Sequence, residues 1–166
     1  MRRLAGLVLA LGGLGLLGVL GGALPAAAGE PRVGPCDLLT RKEVRAAFGQ
    51  PAGRPSSELG PAFCQWQLAA TDLHAPGQVN TLLERGKAAK RDYRLGERLA
   101  GPLAQPIAGL GTKAFFTPDT NTLFVLTAGP TLLYVQANVY DADANRISDG
   151  LLETMVDLAT RAEGRV

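Results

Sequence analysis

The spacing of apolar and polar residues near the start of the globular region predicts a short amphipathic helix. Val44 and Phe48 recur on one helical face. Thr40 and Glu43 have the spacing of a capping box, which satisfies backbone N–H groups at a helix N-terminus. Gly49 can adopt the left-handed conformation that commonly ends a helix. We therefore expect a helix from about residue 41 to residue 48.

Two segments after this helix have strand patterns. Over residues 62–69, Cys64 and Trp66 lie on one side of an extended chain, while polar residues such as Gln65 lie on the other. This alternation predicts a half-buried strand that carries the tryptophan inward. A turn follows, and residues 78–84 have the composition of the returning strand.

The second half of the chain predicts two helices and three strands. A helix is expected from residue 86 to about residue 95, followed by strands at 113–117, 123–127 and 132–140. The last helix is predicted from a cap near residues 141–144 and from apolar residues that repeat on one buried face: Ile147, Leu151, Met155, Leu158 and Ala162.

These elements give the order α-β-β-α-β-β-β-α. Consecutive strands joined by short turns favour an antiparallel sheet of about five strands. The sequence therefore predicts a single α+β domain over residues 36–166, with the helices packed on one face of the sheet and one disulfide.

The N-terminal segment has the pattern of an export signal. Two arginines precede an apolar stretch at residues 4–20, and three small residues end at Ala28. This pattern predicts a secretory signal peptide over residues 1–28, cleaved after Ala28, and a mobile lead-in at 29–35. An uncleaved anchor is the alternative, because the uncharged run is long enough to cross a bilayer. The domain is expected to be secreted or to lie at the extracellular face of the cell envelope.

Net charge argues against a globally basic surface. The chain has 17 basic and 15 acidic residues, and the expected signal peptide contains Arg2 and Arg3 but no acidic residue. Cleavage would leave 17 − 2 = 15 basic residues against 15 acidic ones. We therefore expect no nucleic-acid partner, since nucleic-acid binding depends on concentrated positive charge.

Cys36 and Cys64 are the only cysteines. In an oxidising compartment such a pair favours a structural disulfide. The spacing does not fit a C-x-x-C redox motif, and no second ligand pair is present for zinc. We expect a disulfide, no metal site and no cofactor.

The predicted second helix carries a basic stripe. Its five cations fall within about 100° of one another around the helix axis: Lys87, Lys90, Arg91, Arg94 and Arg98. Such a stripe could contact anionic lipid head groups or wall polymers. A solvated helix face with no partner is the alternative interpretation.

Candidate catalytic residues are few. His74 is the only histidine and could act as a general base. A hydrolytic triad would also need Ser56, Ser57 or Ser148, together with a carboxylate such as Asp72. None of these serines lies in a G-x-S-x-G motif. We therefore expect a polar turn histidine and no enzymatic activity.

Two further motifs have structural explanations. Residues 109–114 match G-x-G-x-x-A, but a proline-containing loop precedes them and a strand follows, so no dinucleotide site is expected. Asp141 and Asp143 could belong to a calcium loop or to a glycosidase-like pair. Helix capping explains both residues without a ligand.

Several short motifs resemble a broad group of small exported actinobacterial proteins, many of them lipoproteins. The group is catalogued as a domain of unknown function and shares features with extracellular sensor-type domains. The motifs lie at residues 36–40, 43–44, 48–49, 64–66 and 109–115. The resemblance implies a Cys36–Cys64 bridge and an envelope location, and it implies no activity. This chain lacks the lipidation cysteine at the expected cleavage site.

We therefore predict an exported, non-enzymatic binding or accessory domain of the cell envelope. Its partner is expected to be an envelope protein, a wall component or a small ligand. The alternatives are a secreted hydrolase that uses His74 and a module that associates with anionic surfaces, such as a membrane periphery, through the basic helix at 87–98.

Overall fold

A computed structural model describes residues 32–142 and 150–166 of the 166-residue chain. Residues Arg32–Val166 form one compact unit. The expected signal peptide and the start of the lead-in lie outside the described residues. The same holds for Asp143, Ile147 and Ser148.

The first helix, α1, spans Arg41–Phe48 and has the predicted caps. The Glu43 backbone N–H donates to the Thr40 hydroxyl at 3.2 Å, and the Thr40 backbone N–H donates to the Glu43 carboxylate at 2.7 Å. Gly49 ends the helix at φ +65°. Local sequence therefore determines both ends of α1.

Six antiparallel strands form one sheet in the order β1-β2-β6-β5-β4-β3. The strands are β1 Phe63–Leu68, β2 Gly77–Arg85, β3 Gln105–Ile107, β4 Lys113–Thr117, β5 Thr122–Leu126 and β6 Thr131–Asn138. The other helices are α2 Lys87–Ala100 and α3 Leu151–Glu163. The α+β class and the antiparallel sheet are confirmed.

The prediction of about five strands omitted β3, so the predicted order lacks one strand. This strand has only three residues and contains Pro106. It lies at the edge of the sheet, where a residue without a backbone N–H is tolerated. Its shortness and its proline explain why alternation could not reveal it.

One side of the sheet, called the core face, is predominantly apolar; its buried polar exception is Thr81, whose hydroxyl donates to the Pro35 carbonyl at 2.8 Å. Trp66, Val79 and Ala137 are successive register partners on this face, and all three are fully buried. The core face packs with α1 and α3 in one cluster, to which α3 contributes Met155 and Leu158. This cluster is the main hydrophobic core.

The opposite side, called the outer face, carries α2. The prediction that all helices pack on one face is therefore wrong. Ala89 and Tyr93 of α2 form a second cluster with Phe115 and Leu132, whose side chains alternate away from the core face. Strands that are apolar on both sides need cover on both sides, and α2 supplies it here.

The Cys36–Cys64 disulfide is confirmed, with the two Cα atoms 5.1 Å apart. It connects a short 3₁₀ turn at Pro35–Asp37 to β1. Residues just before the turn, which were predicted to be mobile, also contact the sheet. The Arg85 guanidinium donates to the Val33 carbonyl at 2.7 Å.

Candidate functional site

Helix α2 is held against the sheet by its buried side. The Tyr93 and Phe115 rings meet edge to face with centroids 5.1 Å apart. A Cβ atom at Gly96 would lie 3.0 Å from the Phe124 ring, so glycine allows the helix to approach closely. The exposed side of α2 is therefore presented on a fixed support.

All five cations of the predicted basic stripe are exposed on α2. Arg91 donates to the neighbouring Asp92 carboxylate at 2.6 Å. Within the described residues, the other four form no ion pair: Lys87, Lys90, Arg94 and Arg98. With five cations and the two acids Asp92 and Glu97, the helix has a formal charge of 5 − 2 = +3.

The Asp92 carboxylate forms hydrogen bonds with Arg91 and Glu84. The hydrogen bond from Arg91, and then one with Glu84, lower the pKa of Asp92. Burial under α2, followed by the contact with Asp92, raises the pKa of Glu84. The Asp92 carboxylate therefore offsets Arg91 and leaves the remaining cations of the stripe available.

The sequence interpretation missed three leucines that border the basic stripe. Leu95, Leu99 and Leu103 are 48%, 78% and 48% exposed. At 3.6 residues per turn, Leu95 lies only about 40° around the axis from Arg91. A leucine pair at i and i+4 beside the cations was the available sequence signal.

Cations and leucines thus share the exposed side of α2 and of the 3₁₀ turn that follows it at Gly101–Leu103. We call this region the basic–leucine surface. Its members are Lys87, Lys90, Arg91, Arg94, Leu95, Arg98, Leu99 and Leu103.

His74 lies in the turn between β1 and β2 and is half-buried. Its backbone N–H donates to the Thr71 hydroxyl at 3.1 Å, and the residue forms an isolated bridge with Asp141. The buried Gln50 amide holds the same turn through the Ala75 carbonyl. These contacts hold the backbone of the turn that contains His74.

Of the serines proposed for a hydrolytic triad, Ser56 pairs through its backbone with β1. Ser56 lies opposite Gln65 in an isolated bridge, with two backbone hydrogen bonds of 2.9 Å between them. Ser148 lies outside the described residues. The hydrolase hypothesis stays a prediction, and loss of hydrolysis on His74→Ala would be its test.

The glycines at 109 and 111 shape a turn before β4. Gly111 has φ +58°, and a Cβ atom there would lie 2.5 Å from the Leu126 carbonyl oxygen. The next residue, Thr112, donates its backbone N–H to that carbonyl at 2.7 Å. A strand follows and not a helix N-terminus, so the turn lacks the element that binds a pyrophosphate.

Two kinds of feature are absent from residues 32–142 and 150–166. No helix in this part of the chain is both long enough and apolar enough to cross a membrane. In the same residues, no three His, Cys, Asp or Glu side chains come together as metal ligands.

An open pocket of about 440 Å³ lies between α1 and α3. Lys42 and Glu43 line one side, and Asp157 and Arg161 line the other. Arg161 donates to Asp157 at 2.8 Å, and Glu43 accepts from Arg165 at 2.6 Å. Because cations and anions alternate around it, this pocket has no concentrated field of one sign.

A comparison of the chain with protein-family models, curated proteins and solved structures gave no match. The motif resemblance to exported actinobacterial proteins therefore stays a prediction.

Proposed function

We propose that this protein is an exported, non-enzymatic accessory domain that associates reversibly with the anionic lipid surface of the cell envelope. One observation carries the proposal: exposed leucines and exposed cations share one side of α2. The disulfide supports export, because such bonds persist in oxidising compartments.

The charge pattern suits a lipid surface better than a single small anion. A basic side chain near an anionic membrane contributes about 1 kcal/mol, and this contribution falls with ionic strength. The cations of α2 extend along more than three helical turns, from Lys87 to Arg98. Lipid head groups form an extended array of negative charge, which such a row can contact at several points.

The leucines supply the contribution that salt does not screen. Full burial of a leucine side chain is worth about 1.5–3 kcal/mol. Leu99 has most of its surface available, whereas Leu95 and Leu103 have about half. Insertion of these side chains at the head-group level adds a modest apolar term, as in interfacial amphipathic helices. The sum is consistent with reversible association.

Helix α2 is already folded on the sheet, which lowers the cost of binding. Free amphipathic peptides lose conformational entropy when they fold at a membrane. Here Tyr93 and Gly96 fix the helix against Phe115 and Phe124. The basic–leucine surface is therefore preorganised.

Vesicle co-sedimentation tests the proposal. The oxidised 32–166 unit is used, because it is compact by itself and lacks the apolar residues at 4–20. We expect sedimentation with phosphatidylcholine–phosphatidylglycerol vesicles at low ionic strength, and at least a fivefold weaker association at high ionic strength. Vesicles of phosphatidylcholine alone should bind weakly. Absence of binding to the anionic vesicles at low ionic strength would refute the proposal.

Matched variants identify the surface that binds. Leu99→Gln should weaken association several-fold. Leu73→Gln should not, although Leu73, in the turn between β1 and β2, is 74% exposed. The triple variant Lys87→Gln/Arg94→Gln/Arg98→Gln should abolish binding, and Arg54→Gln serves as a cationic control. If Leu73→Gln and Leu99→Gln had equal effects, α2 would not be the contact.

A further inference from the structure

The apolar side of α2 covers only one part of the outer face. In the other part, β1, β2 and β6 present six amide side chains outward, and we call this set the amide grid. Its members are Gln65, Gln67, Gln78, Asn80, Gln136 and Asn138.

The strand register arranges the amide grid in two rows. Gln65 pairs with Asn80, and Asn80 pairs with Gln136. In the second row, Gln78 lies between Gln67 and Asn138. Neighbours within a row are about 4.8 Å apart, and the rows are two residues, or about 6.8 Å, apart. The amides thus form a regular array of donors and acceptors on a fixed scaffold.

Hydrogen bonds within the first row hold its amides in place. Gln65 Nε2 donates to Asn80 Oδ1 at 3.1 Å, and Asn80 Nδ2 donates to Gln136 Oε1 at 2.9 Å. Gln136 Nε2 in turn donates to the Thr120 carbonyl at 3.1 Å. Asn80 is only 3% exposed, so this centre is a buried and oriented polar network.

The second row retains free hydrogen-bonding capacity. Gln78 Oε1 accepts from Gln65, and Gln67 Nε2 donates to Gln65 at 2.8 Å. Within the part of the chain that the structure describes, Gln78 Nε2, Gln67 Oε1 and the Asn138 amide have no partner. Each amide can both donate and accept, so these groups suit ligands whose hydroxyls do the same.

The amide grid differs in charge from the rest of the outer face. Its six positions carry no ionisable side chain, whereas α2 on the same face has a formal charge of +3. An array of neutral amides provides no Coulombic attraction for an anionic polymer. This favours a neutral, polyhydroxylated ligand.

An apolar row borders the grid on the side of α2. Phe63 pairs with Leu82, and Leu82 pairs with Tyr134, whose ring meets Phe124 edge to face at 5.1 Å. These side chains are half-buried and keep part of their surface open. The first row lies between this apolar row and the second row, so the latter two are about 2 × 6.8 = 13.6 Å apart. Sugar rings have apolar C–H faces as well as hydroxyls, so neighbouring rings of one chain can contact the apolar row and the second row.

At the other end of the grid, a shallow pocket of about 230 Å³ is lined by grid residues and by Tyr140. Gly77 lies at this end, where the backbones of β2 and β6 approach so closely that a Cβ atom at Gly77 would lie 2.5 Å from the Asn138 carbonyl oxygen. The Tyr140 hydroxyl adds a donor beside the amides of the second row.

We propose that the amide grid binds a segment of neutral polysaccharide. Hydroxyl groups of the sugar would bond to the amides of the second row, and a ring face would pack on the apolar row that contains Tyr134. This inference does not depend on the proposed lipid association, because it uses different side chains.

Affinity electrophoresis in native gels cast with polysaccharide tests this inference on the oxidised 32–166 unit. The neutral probes are mannan, dextran and galactan, and polygalacturonate is the anionic probe. We expect at least one neutral polysaccharide to retard the protein. Gln67→Ala/Gln78→Ala should reduce the apparent affinity at least fivefold, and Gln67→Ala alone should reduce it less.

Gln105→Ala is the matched control, since Gln105 is an exposed glutamine on β3, at the opposite edge of the same sheet. It should leave retardation unchanged. Circular dichroism of each variant shows whether the fold is retained. The Lys87→Gln/Arg94→Gln/Arg98→Gln variant should keep polysaccharide binding while losing vesicle binding, which separates the two proposals.

Three results would overturn the inference. The first is no retardation by any of the three neutral polysaccharides. The second is equal retardation of the folded Gln67→Ala/Gln78→Ala variant and the unmodified protein. The third is retardation by polygalacturonate alone, which would assign the contact to the cations of α2.

Discussion

The two faces of the sheet differ in which residues they carry and in how much of each face is buried. On the core face, residues at every strand but the edge strand β3 are buried in one apolar cluster with α1 and α3. On the outer face, the apolar cluster with α2 covers one part, and the rest holds the half-buried apolar row that contains Tyr134 and the amide grid. The core face therefore stabilises the fold. The outer face stabilises the packing of α2 in one part and presents polar side chains to solvent in the other.

This difference indicates where substitution should matter for stability and where it should matter for binding. A predominantly apolar face must be covered, because its exposure to water would cost most of the folding free energy. A face that is half polar has no such requirement. We therefore expect stability to depend mainly on the core face and ligand contacts on the outer face.

The largest predicted effect compares two adjacent residues of β1. Trp66 is fully buried on the core face, so Trp66→Ala should lower the free energy of unfolding by about 3–5 kcal/mol. Gln65 points to the outer face, and Gln65→Ala should lower it by less than about 1.5 kcal/mol. Urea unfolding followed by circular dichroism measures both values. Similar losses for the two variants would contradict the assignment of the faces.

The disulfide has the next largest predicted effect. It closes a separation of 28 residues, so Cys36→Ala/Cys64→Ala should lower the free energy of unfolding by about 3–4 kcal/mol. Reduction of the unmodified protein should produce a loss of similar size in urea unfolding. Unchanged stability after both treatments would show that core packing alone holds the 3₁₀ turn on β1.

The smallest predicted effect compares two carboxyl groups on opposite sides of the sheet. The guanidinium of Arg165, with the Thr40 contacts, lowers the pKa of Glu43 to about 2. Ionised Glu43 therefore stabilises the fold at neutral pH, and this contribution is lost as pH falls from about 4.5 to about 2. Burial raises the pKa of Glu84, so its contribution has the opposite sign: it favours the fold at low pH and is lost as pH rises.

At neutral pH, Glu43→Gln should lower the free energy of unfolding by about 1–2 kcal/mol, through the loss of a charge-assisted hydrogen bond. Glu84→Gln should raise the thermal midpoint slightly at neutral pH and have little effect in acid. Thermal unfolding across this pH range measures both variants. Changes of the same sign at neutral pH would show that α2 does not bury Glu84 as described.

Sequence motifs that depend on neighbouring residues predicted the helices and strands well wherever every residue of the motif is present. The capping residues of α1 and its terminal Gly49 are both present in the structure, and β4 spans the predicted residues 113–117. The alternation in β1 identified Cys64 and Trp66 as inward residues. These features depend on neighbours only a few residues away, which is why the sequence alone reveals them.

The packing of α2 and the arrangement of the amide grid depend on distant residues and were not predicted. Phe115 and Phe116 are consecutive, so one of them must point away from the core face and needs a partner there. Only the sheet order shows that this partner is α2. The amides were visible as the polar half of each alternation, but their two rows depend on the register between strands that are distant in sequence.

The position of α2 on the outer face places the amide grid beside the basic–leucine surface and not behind it. A domain lying on a bilayer through α2 would hold any bound polysaccharide close to the head groups. The α1–α3 layer and the Cys36–Cys64 bridge would then lie on the side of the domain that faces away from that bilayer.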